Sequence, residues 1–344
     1  MTPIKTPTAY ACLLVLLASL IAFACLSALA IGAAPVPLKV AWQVVQSHLF
    51  GAELLDATSG QDHIIWLIRA PRVVLAVLVG AGLAIVGAAL QAVTRNHLAD
   101  PHLLGATSGA TLGAVVVVMY VGELLGQFTL PLAAFLGASA SLLLVMAIAR
   151  KHGTFTSNRL LLSGVAVSFV LMAAANLVLF LGDHRASSSI LFWMMGGLGA
   201  ARWELLWLPL CVIVLGGLAL WACGRSLNAL MTGEQTAVSL GVDVHSMRVG
   251  AFVMTSCMTG VMVALSGSIG FVGLMVPHMA RRLVGAEHRR LIPVCGLLGA
   301  LLVVCLDMAA RTLIAPQDLP IGVVSAAIGG AFFIVMIYQS RAEA

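Results

Sequence analysis

Charged residues are scarce in this sequence. Of 344 residues only 9% are Asp, Glu, Lys or Arg, while 61% are hydrophobic and the mean hydropathy is +1.08. A water-soluble domain carries roughly 25% charged residues, and a folded body of this size still has to present a polar skin. That shortage excludes a soluble globular fold. Lysine is rarer still. Lys5, Lys39 and Lys151 are the only ones, and none follows the glycines of a GxxxxGK[ST] phosphate loop, so the chain cannot hold ATP by that device. HExxH and GxSxG patterns are missing, which leaves enzyme readings without a catalytic constellation. No CxxC or Cys/His ligand spacing accompanies the seven cysteines, so they read as small buried apolar residues and not as a disulfide or metal framework. Paired intramembrane acids are absent as well. Asp307 is the one deep candidate, so an ATP-independent secondary carrier has little to couple with.

What is present is apolar length. Ten candidate membrane helices lie near 10–33, 71–92, 104–121, 130–149, 160–182, 203–223, 248–266, 269–284, 291–313 and 320–338. The fold class is therefore an all-α integral membrane protein, a single transmembrane domain over 1–344. The 34 glycines suit it, since small residues let membrane helices approach closely. The run Tyr10–Ala33 is longer than a signal-peptide core and reads as a retained first helix.

Lys and Arg set the direction. With the N-terminus inside, Lys5, Arg95, Arg150, Lys151, Arg159, Arg225, Arg248, Arg281, Arg282, Arg289, Arg290 and Arg341 fall on the inner side. Lys39, Arg69, Arg72, Arg185, Arg202 and Arg311 fall on the outer side, half as many. Both termini are expected to be cytoplasmic. The net charge of +5 then reflects inner loops, and nucleic acid is not an expected partner, because no long basic tract with interleaved aromatics exists. The outward segment 34–70, with Glu53, Asp56 and Asp62, is expected at the interface. The inward segment 224–247 is polar and long enough to receive a partner.

Specific motifs sharpen this. Arg69-Ala70-Pro71-Arg72 precedes a span that carries Gly80, Gly82, Gly87 and Gln91. Arg95-Asn96-His97-Leu98-Ala99-Asp100-Pro101 and Leu104-Gly105 follow, then Gly270-Phe271-Val272-Gly273-Leu274-Met275-Val276-Pro277-His278. Asp307, Arg311, Leu319-Pro320-Ile321-Gly322 and Ile328-Gly329 close the series. From about residue 60 onward the chain resembles the FecCD permeases of type II ABC importers, with His97 where the family usually has proline. The resemblance implies a bacterial inner-membrane permease of ten-helix subunits that imports an iron chelate, either a siderophore complex or haem, or else cobalamin. It implies a second permease copy forming a homodimer or pseudo-dimer, a cytoplasmic ABC ATPase dimer, and a periplasmic or lipid-anchored substrate-binding protein. It implies no cofactor and no resident metal.

The same resemblance assigns roles. Arg69, Arg72 and Arg311 would dock acidic residues of the binding protein, a task suited to planar guanidinium groups; ordinary interfacial snorkelling is the bland reading of the first two. Asp307 and Arg311, four apart, would pair on a helix, with Asp307 aiming Arg311 at the outer mouth or acting as a purely structural partner. Gly233, Glu234, Ala237, Leu240 and Gly241 resemble the helices that couple to the ATPase: Thr232 or its neighbours would cap a short helix, Gly241 would end it, and Leu240 would fill a groove on the partner. Asn96, Leu98, Ser157 and Asn158 match inner-gate positions, although Ser157 and Asn158 also fit a helix cap. The fifth span, the segment 186–199 and the tenth span would line the pathway. Ser163, Ser168, Asn176, Ser187 and Ser188 bring sparse polarity there, and Met172, Met194 and Met195 bring soft apolar surface or simple packing. His278, behind Pro277, reads as a structural histidine at a kink.

Overall fold

The computed structural model describes residues 4, 6–32, 34–52, 57–102, 104–122, 124–149, 157–182 and 184–342, and every regular element among them is helical. Helix α1 (Pro7–Ala30) starts behind Thr6, whose hydroxyl accepts the Ala9 amide, with Pro7 in the first helical position. Helix α2 (Leu38–Phe50) occupies the segment expected at the interface and ends on Gly51 in the left-handed region. A Thr58/Gln61 capping box starts α3 (Ser59–His63). It runs on through a wide π-helical turn, Ile64–Arg69, into α4 (Ala70–Thr94), so that Ser59–Thr94 is one 36-residue rod.

Next come α5 (Ala106–Val116), extended by a π turn to Val121, α6 (Thr129–Ala149), α7 (Ser157–Leu181), α8 (His184–Met194) and α9 (Trp203–Ala222). Two short helices, α10 (Gly224–Thr232) and α11 (Glu234–Ser239), precede α12 (Val244–Ser266), α13 (Val272–Val284), α14 (His288–Thr312) and α15 (Ile321–Ala342).

All ten expected apolar segments are helical, but they are not equal. Among the described residues seven helices are long and apolar enough to cross a membrane. The shorter three are Ala106–Val121, α13 and the apolar part of α15, Ile321–Met336. The segment expected at 269–284 forms a helix only from Val272. Its 13 residues rise about 20 Å, short of a bilayer core of about 30 Å. Phe271, in the left-handed region at φ 68°, turns the chain into that helix.

The rod is the centre of the molecule. Its most apolar window is 83% buried, against 17% for α7. Glycine makes the centre possible. A Cβ on Gly80 would lie 2.2 Å from the Gly299 carbonyl oxygen, so α4 and α14 touch backbone to backbone. Gln91, fully buried, donates to the Gly273 carbonyl at 3.1 Å and accepts from Arg281 at 2.7 Å, tying α4 to α13. The outer helices leave large apolar side chains uncovered, among them Leu162, Phe169 and Phe180 on α7 and Trp207 and Leu215 on α9. The cysteines depart from expectation: only Cys295 is fully buried, and Cys12, Cys211 and Cys305 lie exposed on long apolar helices, where hydrocarbon and not protein is their natural surrounding.

Candidate functional site

At one end of the rod five ionic residues gather. Arg69 is buried and donates to the carbonyls of Leu29 (2.7 Å), Ala30 (3.0 Å) and Ala34 (2.5 Å). Gly32 makes the room, since a Cβ there would lie 2.7 Å from Arg69 Nη2. Arg311 is buried too. It donates to the carbonyls of Ala28 and Ile31, both at 3.1 Å, and its Nε lies 3.0 Å from Asp307 Oδ2. The last carbonyls of a helix lack intrahelical donors and carry partial negative charge. Two arginines supply both needs for α1.

Asp307, 1% exposed, also accepts from Arg72 Nε at 2.9 Å, and Arg72 Nη1 donates to Asp318 at 2.6 Å. The Asp307–Arg311 pair anticipated from the four-residue spacing is present. The outward aim anticipated for Arg69 and Arg311 is not: in this chain both guanidinium groups turn inward, because the end of α1 needs donors. Arg72 and Asp318 stand nearest the surface, with side chains 12% and 47% exposed. Trp66 stacks on His48 and its carbonyl accepts the Trp203 indole N–H at 2.8 Å, an aromatic set of the kind that marks a membrane boundary.

Midway, a loop enters the body of the protein. After Arg95, left-handed at φ 49°, the Asn96 side chain accepts the Leu98 amide at 2.8 Å and turns the chain. Leu98 is exposed, while Ala99, Asp100 and Leu104 are buried. His97 is exposed, yet partial burial of its ring and then the charge of Arg281 hold its pKa below the ordinary histidine value. Helix α7 begins at Ser157, and the side chains of Ser157, Asn158 and Ser187 lie outside the described residues.

Two cavities flank this loop. One, of about 430 Å³, is lined by Ser168, Phe169 and Met172 of α7 together with Thr107, Ser108, His102 and Ser268. The other, of about 560 Å³, is lined by Met194, Met195, Phe271, Leu274, Val323, Asp100, His102 and Ser268, among others. The structure thus brings Ser168, Met172, Met194 and Met195 to one concave surface. Ser163 is buried farther back on α7, and Asn176 and Ser188 are exposed.

The sequence reading did not single out His102, Thr107 or Ser268. His102 Nε2 lies 2.7 Å from the Ile269 carbonyl and its Nδ1 2.6 Å from the Thr107 hydroxyl. The only signal for them was polarity interrupting apolar runs next to the motif residues Ala99-Asp100-Pro101 and Gly270-Phe271.

The opposite end of the rod carries α10 and α11. Gly233, at φ 126°, separates them and stands at the N-cap of α11. Thr232 instead closes α10 by donating to the Ala229 carbonyl. Helix α11 ends in a Schellman motif: Val242 N–H bonds the Ala237 carbonyl at 3.0 Å, Gly241 N–H bonds the Val238 carbonyl at 2.9 Å, and Gly241 takes φ 79°. Ala237 is buried beneath. Glu234 accepts from Arg248 Nη2 at 2.6 Å and lies 3.7 Å from Arg95 Nη2, so it anchors the pair of helices to α12 and to the foot of the rod. Val238 (63% exposed) and Leu240 (67%) point away from the body. Asp243 caps α12 by accepting the His245 and Ser246 amides, and its hydrogen bond from the Ser246 hydroxyl leads the effects that hold its carboxyl below the usual value.

Known proteins share this arrangement. The profile of the FecCD transport family matches residues 20–339. An uncharacterised ABC transporter permease protein, YvrB of Bacillus subtilis (strain 168), is 37% identical over 94% of this chain and 92% of its own. The vitamin B12 import system permease protein BtuC of Citrobacter koseri is 38% identical over 80% of this chain and 83% of its own. The hemin transport system permease protein HmuU of Yersinia pestis is 38% identical over 81% and 84%. A solved structure described as a metal-chelate type ABC transporter, in an inward-facing conformation, superposes with a TM-score of 0.81 at 31% identity, covering 95% of this chain and 99% of that one. The helical body is that of an ABC importer permease, and the chain belongs to the FecCD transport family.

Proposed function

We propose that this permease carries an iron chelate, a siderophore complex or haem, into the cell. It works as a homodimer, with a cytoplasmic ABC ATPase pair against α10–α11 and a substrate-binding protein at the arginine end. Both termini and the short helices face the cytoplasm in this reading, as the Lys/Arg bias favours. The observation that carries it is the groove between α7 and α15. Its walls are apolar and thioether-rich, and they offer a bulky chelate a surface to slide along without a deep site. Cobalamin is the second reading, favoured by a vitamin B12 permease as similar to this chain as the hemin permease is.

Chemistry supports the division of labour. The chain carries no phosphate loop, so hydrolysis falls to a partner. Asp307, the acid a secondary carrier would have needed, is held between Arg72 and Arg311. Leu240 and Val238 present apolar surface on a rigidly capped helix, which suits a groove on an ATPase. At the other end, Arg72 is the docking candidate nearest the surface, with Arg69 and Arg311 supporting it from below as anchors of α1. Asn96 and Leu98, with Ser157 and Asn158, would form the inner gate.

Proteoliposomes test this. The permease with its ATPase and binding protein should accumulate one of ferric siderophore, haemin or cyanocobalamin only when ATP is supplied inside the cytoplasmic compartment. Uptake without the ATPase, or nucleotide hydrolysis by the purified chain alone, would overturn the proposal.

A further inference from the structure

Among the described residues His102 is the one imidazole in the groove's lining, and both cavities share it. A histidine beside passing metal chelates is a hazard, because an imidazole nitrogen with a free lone pair ligates iron and cobalt centres. The hydrogen bonds around this ring determine whether such a lone pair exists.

The Ile269 carbonyl oxygen can only accept, so the His102 nitrogen 2.7 Å from it, Nε2, carries the proton. In the neutral ring the lone pair then sits on Nδ1. The Thr107 hydroxyl is 2.6 Å from Nδ1 and donates to it. The loop is fixed from below as well, since Asp100 accepts the His102 amide at 2.8 Å. Gly270 lies flat against the ring, where a Cβ would sit 3.8 Å from both Cδ2 and Nε2. Both nitrogens are therefore engaged. The ring can offer the groove only its carbon surface.

We infer that Thr107 and the Ile269 carbonyl lock His102 so that cargo meets the ring's carbon face and never a coordinating nitrogen. Thr107 is the positioning residue of this lock, and its hydroxyl is what keeps Nδ1 occupied. The remaining soft donors on the two surfaces are the thioethers of Met172, Met194 and Met195, which are weak. Asp100, the carboxylate in the lining, is 2% exposed and lies beneath the surface. With the lock closed, the wall offers metal no imidazole nitrogen, and release stays fast. With the lock open, His102 becomes a trap.

The inference rests on reading the groove as the cargo route, and its test reads the ring alone. Haemin is added to the purified full-length permease in detergent, and the absorption spectrum is followed, taking as signal the part that disappears with His102→Ala. In the unmodified protein that part should be nil. Thr107→Val and Thr107→Ala, two independent ways of removing the hydroxyl, should each shift the haemin Soret band to that of a histidine-ligated ferric haem. Thr107→Ser should behave as the unmodified protein. Adding His102→Ala to either variant should abolish the shift. The lock is refuted if His102 already ligates haemin in the unmodified protein, if neither hydroxyl-free variant gains ligation, or if the gained shift survives His102→Ala. Failure of the unmodified complex to take up any chelate would count against the route and leave the spectral result unaffected.

Discussion

The two ends of the rod hold charge in opposite ways. At the arginine end, Arg69, Arg311 and Asp307 are almost wholly buried and every guanidinium described there has an internal acceptor. At the other end, Glu234 is 44% exposed and ties two short helices to the body, while Val238 and Leu240 face outward with no cover. One network makes the permease itself rigid. The other presents a rigid platform to something else. Removing a charge should therefore be felt as lost stability at the first end and as lost function at the second.

The largest effect should come from Asp307→Ala. It leaves Arg72 and Arg311 facing each other without their shared counter-ion, and breaking a buried pair from one side costs about 3–5 kcal/mol. Thermal unfolding in detergent should show a large drop, and near-native stability would break the comparison at its first term. Arg69→Met comes next. It strips donors from the carbonyls of Leu29, Ala30 and Ala34, of which Ala30 keeps the Val36 amide, at a cost of about 1–3 kcal/mol for buried polar groups left unpaired. Limited proteolysis should then open the α1–α2 junction first.

At the opposite end, Glu234→Gln should cost about 1 kcal/mol or less, since Glu234 is well hydrated and its pair with Arg248 is only half sheltered. The same thermal measurement can rank it against Arg69→Met. Leu240→Ser should leave stability within about 0.5 kcal/mol, as exposed substitutions do, yet abolish binding-protein stimulation of ATP hydrolysis in the reconstituted complex. Intact stimulation would remove the platform role.

The smallest effect is a pH dependence. Asp243 titrates below the ordinary carboxyl value when folded, so its cap contributes in full above about pH 4 and fades as pH falls through the lower folded value. Asp243→Asn, an equally good cap, should flatten the acid limb of stability below about pH 4 and change nothing at pH 7.

Much of this was legible in the residues. Ten apolar segments stood where helices are, because hydropathy over about 20 residues is a strong physical signal. Gly241 read as a helix stop, and the left-handed Schellman turn there explains why glycine was needed. Asp307 and Arg311 read as a pair from spacing alone. The destination of Arg69 and Arg311 was not legible. Their acceptors are backbone carbonyls of α1, which any sequence supplies and no motif marks. The late start of α13, at Val272 and not at 269, was hidden for a related reason, since Ile269 and Phe271 in the turn are apolar and blend with the helix after it. His102 escaped because its meaning lies in two partners, one five residues away and one 167 residues away along the chain.

The rod from Ser59 to Thr94 has one more consequence. At 1.5 Å per residue it measures about 54 Å, with Arg72 about 20 Å along it and Arg95 just past its far end. Arg95 in turn reaches Glu234. Two backbone crossings, Gly80 on Gly299 and Gly87 on Gly273, grip it between those points and leave it to move as one body with α13 and α14. A load on the Arg72 region would then be felt at Arg95 through the stiffness of a single helix.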